Sequence, residues 1–167
     1  MIEATTAELL DYLADVIERA ERYGAVVEPP YDALEVEWRR SGDDLLMDLD
    51  VRPRLDRPTS VQITLRERWR PIDQDRWELA EYGYELRDFE LDYRRALHQH
   101  DSDHFVRRFG VTSHEHCEAA LGSATCGHYA GAACYGALDG LERLYVVWTS
   151  GQKPDCSRMR CLGDRGA

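Results

Sequence analysis

The sequence has almost no lysine, no long apolar run and no excess of positive charge, and each absence narrows its range. Lys153 is the single lysine among 21 basic residues, a skew that fits codon usage in a GC-rich genome and assigns no function. No apolar run approaches the roughly 20 residues of a membrane-spanning helix. The N-terminal stretch is acidic and carries no apolar signal-peptide core, so a cytoplasmic protein without membrane contact is expected. With a net charge of −11 the chain is not built to coat a polyanion by bulk electrostatics. Phosphate-binding P-loops, G-x-G-x-x-G turns and G-x-S-x-G elbows are all missing, which leaves nucleotide-cofactor enzymes and serine hydrolases unsupported.

What is present fits one globular domain. The 167 residues are 43% hydrophobic, enough to close a core and too many for a disordered chain. The charge is uneven: residues 1–50 carry −10, residues 51–76 carry +3, residues 77–103 carry −5 and residues 104–167 carry +1. An acidic N-terminal third is either a solvated surface or a face that docks a basic protein partner.

Thr5-Thr6-Ala7-Glu8 fits a capping box, and Leu9, Leu10, Leu13, Val16, Ile17 and Ala20 follow at helical spacing, so a helix is expected over residues 6–23, stopped near Gly24. Leu34, Val36 and Trp38 alternate, as do Leu45, Met47, Leu49 and Val51, on either side of a turn at Gly42: a β-hairpin. Pro53 and Pro58 mark residues 52–60 as a loop. Val61, Ile63, Leu65 and Trp69 make a third strand ended by Pro71. Residues 77–100 read as one long strand whose parity switches near Arg87-Asp88, as at a β-bulge. A second helix is expected over about residues 135–149, weakened by Gly136 and Gly140, followed by a loose tail over 150–167. The expected fold is α+β: a single domain over residues 1–149, an antiparallel sheet of about four strands covered by an N-terminal and a C-terminal helix.

All six histidines fall between positions 98 and 128, and Cys117, Cys126 and Cys134 lie in or beside that window. Two constellations follow. In the first, strand period places Arg94, His98 and His100 on one face, with the two histidine Cα atoms about 6.6 Å apart. Asp101 or Asp103 is placed to orient an imidazole. Two histidines and an arginine are the parts of metal-free RNA cleavage: one imidazole takes the 2′-OH proton, the other protonates the leaving 5′-oxygen, and Arg94 clamps the phosphorane. In the second, His114, Cys117, Cys126 and His128 offer two nitrogens and two sulfurs to a tetrahedral Zn²⁺, with His116 or Cys134 as substitutes and Glu115 or Glu118 behind the ligands. A Cys117–Cys126 disulfide is an alternative use of the same thiols. H-E-x-x-H is absent, which removes the zincin type of metalloprotease.

The segment Tyr93-Arg94-Arg95-Ala96-Leu97-His98-Gln99-His100-Asp101, followed by His114-Glu115-His116 and a closing helix, resembles small prokaryotic toxins of the TumE-like group over residues 93–149. The resemblance implies a toxin–antitoxin ribonuclease with its active site at His98, His100, Asp101, His114 and His116. The chain departs from that group in lacking an Asp-Asn-x-x-x-His-His run and in adding Cys117 and Cys126. Two readings therefore stand: an endoribonuclease acting on RNA at the histidine-rich segment, and a non-enzymatic, zinc-stabilised protein-interaction module.

Overall fold

A computed structural model describes residues 2–22, 34–51, 61–99, 107, 113–118, 126–129 and 136–150. Its order is β1 (Glu3–Thr5), α1 (Thr6–Arg22), β2 (Leu34–Ser41), β3 (Asp44–Val51), β4 (Val61–Pro71), β5 (Arg76–Asp88), β6 (Tyr93–Gln99), β7 (Ser113–Glu118), β8 (Cys126–Tyr129) and α2 (Ala137–Thr149). Strands β2 to β8 lie side by side in chain order, each antiparallel to the next, a continuous meander. Strand β1 pairs with Arg76, Trp77 and Glu78 of β5, a stretch that β6, paired from Tyr82 onward, does not reach.

The α+β class with an antiparallel sheet is as expected; the sheet is larger. Residues 93–99 and 113–118 form separate strands, and β1, β7 and β8 add pairings that no short-range pattern announced. The expected single strand over 77–100 is a hairpin. Its parity switch is the turn at 89–92, where Asp88 accepts from the backbone N–H groups of Glu90 and Leu91 and Asp92 adopts φ +50°. Phe89 and Leu91 accordingly point to solvent. A bulge does occur, but earlier: Arg68 pairs with Glu81 and Trp69 with Leu79, which leaves Ala80 as the extra residue. That insertion lets Trp77 and Leu79 before it, and Tyr82 and Tyr84 after it, all reach the core.

Helix α1 starts where the sequence placed it. The Thr5 hydroxyl accepts from the Glu8 N–H at 3.3 Å, and the Glu8 carboxylate takes the Thr5 N–H at 2.7 Å, the reciprocal pairing of a capping box. The backbone hydrogen bond from Thr5 lowers the Glu8 pKa. Leu9 and Val16 are buried and Leu10 is exposed, so the apolar stripe is narrower than the leucine run suggests. Gly42 turns the β2–β3 hairpin at φ +64°, the sign a two-residue hairpin loop requires.

Both helices cover one face of the sheet. The row Leu65, Tyr84, Leu97 across β4, β5 and β6 is fully buried, and Leu141 and Leu144 of α2 join it in one core with Trp69. Gly140 is what lets α2 come so near: a Cβ there would stand 2.2 Å from a ring carbon of Tyr84. The N-terminus of α2 has Gly136 as its cap and no side-chain cap of its own. Glu67, buried on β4, supplies the missing acceptor: Oε1 takes the N–H of Ala137 at 3.1 Å and the hydroxyls of Tyr12 and Tyr84 at 2.6 Å each, and Oε2 takes the Trp69 indole N–H at 2.8 Å. Burial raises the Glu67 pKa despite these four donors, and it raises both tyrosines as well. At the other end, the Trp148 indole donates to Asp88 at 2.9 Å. The loop expected over 52–60, the helix stop at Gly24 and all of the tail beyond Ser150 lie outside the described residues.

Candidate functional site

The face turned away from the helices is polar because of strand alternation. In the register, Arg66 of β4, Gly83 of β5, His98 of β6 and His114 of β7 form one cross-strand row. The neighbouring row is Thr64, Glu85, Ala96 and His116. His98 thus meets His114 across the β6–β7 ladder, and His116, two residues along β7, joins them on the same face.

Three imidazoles result in close contact. Ring centroids are 4.5 Å apart for His114 and His116, 4.9 Å for His98 and His116, and 5.6 Å for His98 and His114. The Nε2 atoms of His114 and His116 are 2.8 Å apart, a hydrogen bond in which one ring carries the proton and the other accepts it. His114 is almost fully buried. The His98 ring lies over Gly83, with Nδ1 3.6 Å from where a Cβ would stand. It forms part of the wall of a groove of about 550 Å³ that also takes in Arg39, Asp48, Arg66, Arg68 and Arg87.

The arginines of this face are held by acids. Arg66 reaches Asp48 at 3.0 Å, Arg68 reaches Asp44 at 2.8 Å and Glu81 at 3.1 Å, and Arg94 reaches Glu85 at 2.9 Å, with Arg87 also against Glu85. Burial pushes the Glu85 carboxyl up, but Arg94 and Arg87 outweigh it and hold its pKa below the usual value. Two acids of β3, Asp48 and Asp44, are therefore offset by Arg66 and Arg68 of β4 across one ladder.

Arg94 and His98 share this face, as strand period predicts. They are four residues apart on β6, about 13 Å between Cα atoms, and Arg94 is turned to Glu85. Arg66, in the row of His98, is nearer to His98 in register, while Arg94 is nearer to His116. His100, Asp101, Asp103 and His104 lie outside the described residues, as does Cys134.

For the four residues expected to bind zinc, the ladder pairs Cys117 with Cys126, and His128 with Glu115. Alternation along β7 puts position 117 in the row of Arg95 and position 114 in the row of His98, so His114 and Cys117 belong to opposite faces of the sheet. Of the side chains at Cys117, Cys126 and His128 nothing is described. Glu115, between the two histidines, points to the helix side, where it forms a buried ion pair with Arg95 and receives Arg143 at 3.5 Å. Among the described residues, no group of three or more His, Cys, Asp or Glu side chains is placed so that it could hold a metal ion.

Spacing alone put His98 in one constellation and His114 and His116 in another, while the resemblance to TumE-like toxins implied one site for all three. Sequence reasoning missed Gly83 and Arg66, which have no motif of their own and acquire their places only through register. Comparison of the chain with protein-family models, with curated proteins and with solved structures finds no match. Among the described residues, no helix is long and apolar enough to cross a membrane.

Proposed function

We propose that the histidine-bearing face cleaves RNA by metal-free acid–base chemistry. The observation that carries this reading is the contact between His98 and His116, whose ring centroids lie 4.9 Å apart beside an arginine-lined groove. A phosphodiester in that groove would meet His98 at the wall, with His116 next to it.

His98, at the groove wall, takes the proton of the 2′-OH. The 2′-oxygen then bonds to phosphorus, the bond from phosphorus to the 5′-oxygen breaks, and His116 gives its proton to that oxygen. The products are a 2′,3′-cyclic phosphate and a free 5′-hydroxyl. His114, buried and hydrogen-bonded to His116, holds the acid's ring in place. Arg66 stabilises the charge on the phosphorane. This role passes to it from Arg94 because Arg66 shares the row of His98 whereas Arg94 sits two rows away; each is paired with an acid, Arg66 with Asp48 and Arg94 with Glu85. The reading agrees with what the resemblance to TumE-like toxins implies for His98, His114 and His116.

The test is incubation of the purified protein with RNA in EDTA. Cleavage with cyclic-phosphate ends, lost in both His98→Ala and His116→Ala, supports the reading. Absence of cleavage by the unaltered protein above the level of those variants overturns it.

A further inference from the structure

We propose that Cys117 and Cys126 form a thiol–disulfide site: they exchange with small-molecule disulfides of the glutathione type and close reversibly into a cross-strand bond that pins β8 to β7, the strand carrying His114 and His116. The site stands on backbone register and is independent of RNA cleavage.

Strands β7 and β8 pair without a slip, from His114 with Tyr129 to Cys117 with Cys126. Residues directly opposite in an antiparallel ladder share a face, with Cα atoms about 4.5 Å apart in one kind of pair and about 5.5 Å in the other. A disulfide needs about 4.4–6.8 Å between its Cα atoms, so either kind admits the bond with the backbone where it is. A slip of one residue would set Cys117 opposite Thr125 or Gly127 and send the two cysteines to opposite faces. Sequence spacing left these thiols open to zinc or to each other. Register favours the second use, because His114, a member of the expected zinc set, belongs to the other face of the sheet.

The pair lies at the end of the β7–β8 ladder, and its bond closes a ring over residues 117–126. It ties the last strand of the sheet order to its neighbour. Alternation keeps the bond on the face away from His114 and His116, so the hydrogen bond between those imidazoles is left as it is.

Closure takes two exchanges. One cysteine thiolate attacks a sulfur of the small disulfide, forms a mixed disulfide and releases one small thiolate. The second cysteine thiolate attacks the protein sulfur of that mixed disulfide, forms the Cys117–Cys126 bond and releases the other. Both cysteine sulfurs are oxidised, both sulfurs of the small disulfide are reduced, and the two cysteine protons leave on the two small thiols. An excess of small thiol reverses both steps.

The full chain is equilibrated in mixtures of reduced and oxidised glutathione, the remaining thiols are blocked with a maleimide, and the products are read by intact mass and peptide mapping. Cleavage after Glu115 and Glu118 places Cys117 and Cys126 on separate peptides, which the bond then joins. The expected result is a monomer two hydrogens lighter with those peptides linked, restored by reduced glutathione. Cys117→Ser and Cys126→Ser each abolish the link and Cys134→Ser keeps it, with folding checked by circular dichroism. The fold presents the pair, so in concentrated urea the balance shifts toward free thiols by on the order of 100-fold. Backbone hydrogen exchange in β7 and β8 slows on oxidation. A bond from either cysteine to another position or another molecule overturns the site, as does a pair that stays reduced in oxidised glutathione. A balance that urea does not move overturns the role of the ladder, and hydrogen exchange unchanged by oxidation overturns the pinning.

Discussion

Gly83 stands directly across the β5–β6 ladder from His98, and the imidazole of His98 rests on the space that a side chain at position 83 would fill. The nearest ring atom is 3.6 Å from that Cβ position, an ordinary van der Waals contact. Alanine therefore fits and a branched side chain does not. Gly83→Ala is expected to keep RNA cleavage within a few-fold of the parent. Gly83→Leu pushes the imidazole off its position, and a displacement of about 1 Å costs on the order of 100-fold in rate. Steady-state cleavage kinetics of the two variants check this, with thermal unfolding to show that both remain folded.

Arg66 and Arg94 separate two ways of reading the groove. If the phosphorane is clamped from the row of His98, Arg66→Ala lowers kcat/KM by about 100-fold, as loss of one preorganised donor does elsewhere, while Arg94→Ala changes it little. Arg94→Ala shows itself in stability instead. The Glu85 pKa is depressed in the fold, so its contribution is present above the unfolded carboxyl pKa and is lost as pH falls through the lower, folded value. Without Arg94 the folded pKa rises toward the unfolded value, so less stability is lost on acidification. Urea unfolding between neutral and acidic pH measures the change; identical profiles for parent and variant contradict it.

Gly140 tests how closely α2 must pack. Alanine is favoured over glycine inside a helix by about 1 kcal/mol. The added Cβ would nonetheless meet three ring atoms of Tyr84 at 2.2–2.9 Å, and Tyr84 is fully buried and stacked on Tyr82 at 4.6 Å. Overpacking of this kind costs about 1–3 kcal/mol or more, so Gly140→Ala is expected to destabilise despite its better propensity. A variant more stable than the parent in urea would show that α2 stands further from the sheet.

Glu67 carries a pH dependence of opposite sign. Its pKa is raised, chiefly by burial, so its contribution is largest below the unfolded carboxyl pKa and declines as pH rises through the folded value. Glu67→Gln keeps an acceptor for Ala137 but turns an NH₂ group toward the Trp69 indole N–H, at a cost of about 1–3 kcal/mol. The variant has no carboxyl to titrate. The stability gap between parent and Glu67→Gln should therefore narrow as pH rises above the ordinary carboxylate range. A gap that widens would mean that the four donors, rather than desolvation, control the charge.

The sequence by itself determined the features that depend on neighbours a few residues away. The Thr5/Glu8 box sets the start of α1, Gly42 turns the β2–β3 hairpin, and the parity of Val61, Ile63, Leu65 and Trp69 marks β4. The crowding of histidines into residues 98–128 was also visible, since composition needs no structure to be seen. Where patterns were ambiguous, local reading failed: a parity switch at Arg87-Asp88 looks the same for a bulge and for a turn, and the turn at 89–92 is settled by Asp88 accepting two backbone N–H groups.

Only the tertiary structure decided which groups meet. His98 and His114 are 16 positions apart, and nothing local specifies that they face each other; that follows from the β6–β7 register, set by burying Leu97 and Glu115 on the helix side of the same row. A slip of one residue would turn His98 to the core. The same pairing gives Gly83 and Arg66 their places, sets the acids of β3 against the bases of β4, and brings Glu67 to the bare N-terminus of a helix 70 residues further on. Strand alternation is a property of each segment alone, whereas register is a property of two segments and the core they share. The histidines were therefore legible as a cluster in the sequence and became one three-imidazole site only in the folded sheet.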